Sequence, residues 1–460
     1  LIAILGDSVP RYHDSLVGMR HRYLRVQLGS MAARARMLGG DRLSFDQEAQ
    51  ALYDVRPPRF AAAHFDSLLA QLDSLLPGRG ALAERYQRFR DRMVIPAPLV
   101  DTVFKTAIAA CRARTRTHLQ LPPGERFDLE YVKGTPWNAY NWYQGGYRSV
   151  IQVNLDFPIP LDRAVDLACH EGYPGHHVYN ALLEQALMRG RGWVEISMYP
   201  LFSPQSLIAE GSANFGIDMA FPPAERVAFE RDSLFPLARL DTSLAAPNAK
   251  VRAITDGLNY ARNEVAREYL DGKLGAEAAR RMMQRFWLIT PDAAAKTLRF
   301  IDTYRSYVIN YNLGRDLVAG WVQRIAGERE EARWRAFGGL LSAPHLPRDL
   351  TSTEPDRDPR LAGHRQFPAH QGGPAGRRDP GMTTKRPVGA CTAGTPVEAE
   401  LITQAASSLG PRRAMSCVAP AYWPSLTTFE AAGPLAPSTT SNSTRSPSAR
   451  LLNPWPEMAE

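Results

Sequence analysis

His170-Glu171-Gly172-Tyr173-Pro174-Gly175-His176-His177 gathers three of the chain's ten histidines into eight consecutive positions. In a helical His-Glu-x-x-His stretch, two imidazoles four residues apart share one face, and the glutamate beside them activates a metal-bound water. Here the next histidine comes six residues after the first. On an unbroken helix six residues turn about 600°, so His176 points roughly 120° away from His170. His177 returns almost to the same face but lies about 10 Å further along the axis. Neither shares a metal with His170 unless the helix is interrupted, and the interruption is written between them. Pro174 has no N–H for the carbonyl of His170, and its ring clashes there. Gly175 adds the backbone freedom to turn aside. A bulge that absorbs two residues puts His176 in the ligand position; one that absorbs three puts His177 there. The alternative is a helix that stops at Pro174 and a second one that opens with the histidines.

Outward from this stretch the pattern is mostly helical over residues 1–350. Phe65, Leu68, Leu69, Leu72, Leu75 and Leu76 keep three-four spacing until Pro77-Gly78. Leu82, Tyr86, Phe89 and Met93 predict a second helix, and Leu99, Val103, Phe104 and Ile108 a third. Val251, Ile254, Leu258, Ala261, Val265 and Tyr269 predict a fourth. Thr290-Pro291 caps and opens a helix expected to run past Tyr311. Val150, Ile151 and Val153 mark a strand over 148–155, just before the histidine stretch, and 137–147, with Trp137, Tyr140, Trp142, Tyr143 and Tyr147, reads as a loop. The fold class is therefore mainly α, with a small β element beside the histidine helix.

The composition changes near residue 350. Residues 351–460 hold 15 of the 36 prolines with hardly any apolar periodicity, which predicts a disordered tail. Its character is unlike anything upstream, as out-of-frame or readthrough translation would give. At the other end, Leu1 stands where a methionine is expected, which predicts that the natural N-terminus lies upstream. No apolar run reaches the roughly 18 residues that span a bilayer. The net charge of +8 comes from an arginine-heavy balance, only six of the 55 basic residues being lysine. It forms no basic block, so no nucleic-acid partner is expected. Cys111, Cys169, Cys391 and Cys417 are too few and too scattered for a disulfide framework or a cysteine zinc site.

The motif His-Glu-x-x-Pro-Gly-His-His resembles the signature of a bacterial family known as domain of unknown function 885, a zincin-like group of metallopeptidases. The resemblance runs from the N-terminal helices to about residue 345 and excludes the tail. It implies a largely helical metallohydrolase with one Zn2+ per chain and a peptide or related amide as substrate. A third ligand is then expected from a downstream helix, and Glu210, 34 residues beyond His176, is the candidate. The family pattern Glu-Gly-Trp-Ala-x-Tyr-x-Glu keeps Glu210, Gly211 and Ala213 here, but Ser212, Phe215 and Ile217 replace the other three. The family's Tyr-x-x-Gly element matches Tyr311-Asn312-Leu313-Gly314, while Arg305-Ser306-Tyr307-Val308 stands where Pro-Gly-Gln-Ala is usual.

These residues predict a gluzincin-type site. His170, His176 (or His177) and Glu210 hold the metal, Glu171 is the general base, and Tyr311 or Tyr307 steadies the oxyanion. Asp166 and Asn214, each four residues from a ligand, are candidates to orient an imidazole. Asn154, at the end of a strand expected to pair with substrate, and Arg305, a carboxylate binder, are candidate substrate contacts. Two rival functions remain: a zinc amidase on a small non-peptide substrate, and an inactive helical scaffold that binds peptides.

Overall fold

Three-four apolar spacing becomes helix along most of the chain. The computed structural model describes residues 14–135, 139–156 and 158–351. The expectations for Trp137 and for the tail beyond Thr351 lie outside these residues. In chain order α1 (Ser15–Leu38), α2 (Phe45–Tyr53), α3 (Ala62–Leu75), α4 (Leu82–Asp91) and α5 (Val100–His118) precede a small sheet. After the sheet come α6 (Leu161–Leu167), α7 (His176–Leu183), α8 (Pro204–Ala220), α9 (Pro223–Phe229) and α10 (Ala245–Leu258). Then follow α11 (Tyr260–Leu270), α12 (Ala276–Trp287), α13 (Pro291–Tyr304), α14 (Ile309–Ala326), α15 (Glu330–Leu341) and α16 (Pro347–Thr351). The protein is mainly α with a small β element. Among the described residues no helix is long and apolar enough to cross a membrane.

Helix α8 is the centre of the arrangement. Leu207, Ile208, Ala209, Ala213 and Phe215 make it apolar nearly all round, and almost every residue in it is buried. It crosses α14 backbone to backbone. A Cβ on Gly211 would lie 2.3 Å from the Gly314 carbonyl carbon, and one on Gly314 would lie 2.7 Å from the Leu207 carbonyl oxygen. The close crossing sets Glu210 beside the start of α14, where Tyr307 donates to it.

Three expectations for regular structure are corrected. The predicted stripe from Val251 to Tyr269 is two helices: at the junction the Asn259 carbonyl accepts from Asn312 Nδ2 (3.2 Å) and from the N–H of Arg262 (3.3 Å), three residues on instead of four. The helix opened by Thr290, whose hydroxyl accepts from the Ala293 N–H, stops at Tyr304 rather than passing Tyr311. Arg305 has φ 55°, and the Glu48 carboxylate from α2 takes the Ser306 N–H (3.1 Å) and hydroxyl (2.7 Å) there. The aromatic segment expected as a loop contains a strand, β2 (Ala139–Gly145), as aromatic side chains favour. It pairs antiparallel with β3 (Arg148–Asn154), whose other edge is filled by the parallel β1 (Arg126–Val132). The strand read from Val150, Ile151 and Val153 is therefore central, with both edges occupied, and cannot add a substrate strand.

A disulfide joins Cys111 of α5 to Cys169, with Cα atoms 5.8 Å apart. It ties the segment that carries His170 to α5 across 58 residues of sequence, a pairing invisible in cysteine counts.

Candidate metal centre

The histidine stretch is broken where Pro174 and Gly175 predict. Helix α6 loosens into a π-turn over Ala168–Gly172, and a new helix begins at His176. The chain does not loop residues out of one continuous helix; it ends one and restarts another. Gly175 is required at the junction: a Cβ there would sit 1.8 Å from the His170 carbonyl oxygen, and its N–H donates to the Cys169 carbonyl at 2.9 Å.

The restart brings the two imidazoles together edge to face, their planes 85° apart. His170 Nε2 and His176 Nε2 are 3.1 Å apart, and Glu210 Oε2 lies 3.5 Å from the first and 3.8 Å from the second. Ligand atoms about 2.0–2.1 Å from a tetrahedral zinc are about 3.3–3.4 Å from one another. The three observed separations bracket that edge, and all three residues are buried.

The donor chemistry fits a divalent cation as well. Asn214 Nδ2 donates to the Tyr311 carbonyl (3.0 Å), which leaves its Oδ1 to face His170 Nδ1 at 3.0 Å. His170 therefore carries its proton on Nδ1 and presents a lone pair on Nε2. Burial, then the Arg163 charge, pulls the His170 pKa down to about 3, and burial holds that of His176 far below the usual range. Both rings are neutral, as ligands must be. Burial pushes the Glu210 pKa well up, against the hydrogen bond from Tyr307. Its Oε2 has no hydrogen-bond partner. A buried carboxylate oxygen left open beside two neutral imidazoles is what a cation would satisfy.

Glu171 is also buried. Its pKa is raised to about 8 by burial, and its Oε2 makes no hydrogen bond. Asn141 of β2 donates to the Glu171 carbonyl at 2.6 Å, so the sheet fixes the backbone of this residue.

Several candidates from the sequence sit elsewhere. His177 turns away from the metal group: Nδ1 meets Ser149 Oγ (2.8 Å) and Nε2 meets Glu125 Oε2 (3.1 Å). Glu125 also accepts from Tyr173 (2.5 Å) and Arg112 (2.6 Å), so His177 belongs to a closed polar network behind the site. Tyr307 donates to Glu210 Oε1 at 2.9 Å and is fully buried, holding a ligand rather than facing substrate. Arg305 is spent on Glu48 (2.7 Å). Asn154 uses both ends of its amide, donating to the Thr135 carbonyl (2.8 Å) and accepting from the Asp156 N–H (2.8 Å). Asp166 pairs with Arg226 (2.7 Å) and Arg163 (3.2 Å), not with a ligand. Tyr311 is beside the centre, its ring 5.8 Å from that of Tyr307. Of the aromatic segment, Tyr140 lies within the electrostatic reach of Glu171 and Glu210, whereas Trp142 donates to Gln152 and Tyr143 to Glu184.

Two residues near the centre escaped the sequence reading. The Tyr199 hydroxyl is buried without a partner, and burial first, then the Glu210 charge, opposes its ionisation. Arg262 of α11 sits between the rings of Trp287 (4.6 Å) and Tyr311 (5.2 Å). Neither lies in a motif, and one arginine in an arginine-rich chain carries no signal of its own.

The fold and site define a mainly helical protein with a buried His-His-Glu group suited to a metal ion. No family model matches the chain, and no curated protein matches it. Among solved structures it is similar to the crystal structure of "the putative lipoprotein from Colwellia psychrerythraea", with a TM-score of 0.51 and 15% sequence identity. That match covers 66% of this chain and 53% of the other, so the chain spans about half the length of that structure. The likeness is one of fold.

Proposed function

We propose that the chain is a zinc-dependent hydrolase that cleaves peptide bonds, in line with its resemblance to the domain of unknown function 885 family. The observation that carries this reading is the convergence of His170, His176 and Glu210 beside Glu171, whose Oε2 is unpartnered. Three protein ligands leave a fourth position open, as in catalytic rather than closed structural zinc sites. Zinc supplies Lewis acidity there, acidifying water and polarising a carbonyl.

The chain's own residues do the rest. Glu171 accepts the proton of the attacking water and delivers it to the leaving amine. The Tyr199 hydroxyl, which has no other partner, donates to the oxyanion of the tetrahedral intermediate, with Tyr311 alongside. Tyr307 and Asn214 fix Glu210 and His170, so the ligands do not reorganise during the reaction.

The test is zinc content per chain, together with hydrolysis of a mixed peptide library with and without chelator. One zinc per chain and chelator-sensitive cleavage support the reading. Cleavage confined to small amides would make the protein an amidase, and bound zinc without turnover would make it a peptide-binding scaffold. Zinc well below one per chain, unrestored by dialysis, would remove the premise.

A further inference from the structure

Arg226, Arg262 and Arg267 are the buried arginines among the described residues. Arg226 is paired with Asp166 (2.7 Å) and Glu230 (2.7 Å), and Arg267 with Asp46 (2.9 Å) and Glu264 (2.5 Å). Arg262, 5% exposed, has no carboxylate partner among the described residues, and its Nε is buried without a hydrogen-bond acceptor. Its contacts are the faces of Trp287 and Tyr311. Cation–π contacts of this kind hold a guanidinium in place without using its five N–H donors. An uncompensated buried charge is costly, and burial pulls the Arg262 pKa down to about 10.

The position of this charge gives it a use. Tyr311, which it touches, supplies the carbonyl that holds Asn214, and Asn214 holds His170. Glu210 is among the groups that act electrostatically on the guanidinium. A planar fork of donors, braced by aromatic faces and lacking a carboxylate partner among the described residues, matches one ligand group above others, a carboxylate. We infer that Arg262 is the substrate-binding residue that anchors a carboxylate of the peptide beside the metal centre, an assignment that rests on the peptidase reading. The carboxylate is either the peptide's C-terminus, which makes the enzyme a carboxypeptidase, or an acidic side chain near the cleaved bond. Arg305, the sequence candidate for this task, is already paired.

The test uses the full chain loaded with zinc and carrying Glu171→Gln, so that peptides survive equilibrium calorimetry. The probes are N-acetylated tetra-alanine as the free acid, the same peptide as its C-terminal amide, and an amide carrying one internal glutamate. The free acid is expected to bind about 10- to 100-fold tighter than the plain amide, as a charge-assisted hydrogen-bonded pair gives. Adding Arg262→Gln should abolish that preference, and Arg262→Lys should leave part of it, with zinc content and melting temperature unchanged. An Arg262-dependent preference for the glutamate amide instead would support the same anchor with an acidic side chain as its ligand. Equal binding of all three peptides, a preference that survives Arg262→Gln, or no peptide binding at all would overturn the inference. Should Arg262→Gln fail to fold, the lysine variant decides, because full retention of the preference there would also overturn it. Failure of the zinc reading shows separately, as zinc below one per chain, and the acid-to-amide comparison on metal-free protein remains interpretable.

Discussion

Around Asp162, buried charges are interleaved, whereas around Glu210 they are left open. Asp162 meets Arg90 at 2.6 Å, Asp166 meets Arg226 and Arg163, and Glu230 meets Arg226 and Arg252. Helix α6, which carries Asp162 and Asp166, leads directly into the π-turn that carries His170 and Glu171. In the first region Asp162 and Glu230 each leave one oxygen without a hydrogen-bond partner but hold an arginine with the other, whereas in the second neither Glu210 nor Glu171 is paired with an arginine among the described residues, and the Tyr199 hydroxyl and Arg262 Nε have no hydrogen-bond partner. Native interiors satisfy nearly all buried polar groups from within the chain, and exceptions need a reason. The paired region is scaffold. The open one is built for groups the chain does not itself contain, a cation and a substrate.

The largest expected effect breaks the open region at its chemistry. Glu171→Gln should keep one zinc per chain while turnover falls about 10²–10⁴-fold, the usual share of a general base. Metal content and peptidase activity measured on one preparation check this. Loss of both together would make Glu171 a ligand or a fold residue and remove it from the open region's chemistry.

Next comes a direct comparison of two buried arginines. Arg226→Met leaves Asp166 with only Arg163 and Glu230 with only Arg252, and should cost about 3–5 kcal/mol of stability. Arg262→Met removes a charge with no partner to strand and should leave stability unchanged or raise it. Denaturant unfolding of both variants reads the difference. Equal losses would show that Arg262 is scaffold too.

A smaller effect sharpens the ligand side. Asn214→Ala removes the acceptor that fixes the His170 tautomer and should weaken zinc binding about 10- to 100-fold. Asp166→Ala, four residues before His170, should lower stability and leave zinc affinity alone, since Asp166 faces arginines. Chelator competition distinguishes the two, and matching losses of affinity would place Asp166 in the metal shell after all.

The legible and illegible parts divide along the same physical line. Local spacing revealed α3 and α5, and the Pro174-Gly175 break with histidines on both sides was plain in eight residues. Glu210 was reachable through the family resemblance and its distance from His176. What sequence could not show were groups paired at long range. Glu48 interrupts the helix at Arg305 from more than 250 residues away, and Cys111 finds Cys169 across the core. His177 stood as the alternative to His176 because both follow the same break. Only the register of the restarted helix decides that one faces Glu210 and the other Glu125. Tyr199 and Arg262 stand out only once it is known that nothing pairs with them, a property of the folded surroundings and of no motif.

The smallest expected functional effect belongs to Arg305, and it tests whether pairing is the right criterion at all. Arg305 was a candidate in sequence because a guanidinium can bind a substrate carboxylate, and it is more exposed than Arg262. If accessibility and proximity to the motif governed carboxylate binding, Arg305→Gln would raise KM for peptides with a free C-terminus. The structure spends its guanidinium on Glu48, whose carboxylate also receives the Ser306 N–H and hydroxyl. Its loss should therefore appear in folding, as about 1–3 kcal/mol from a charge-assisted hydrogen bond. The KM should stay within about twofold of the parent, well below the factor expected from removing a substrate contact of that strength. Steady-state kinetics on the free-acid and amide peptides, run beside a melting curve, make the measurement. A KM effect specific to the free acid with no change in melting would mean that Arg305 leaves Glu48 to reach substrate. A paired arginine would then be available after all, and the reason for preferring Arg262 would fall with it.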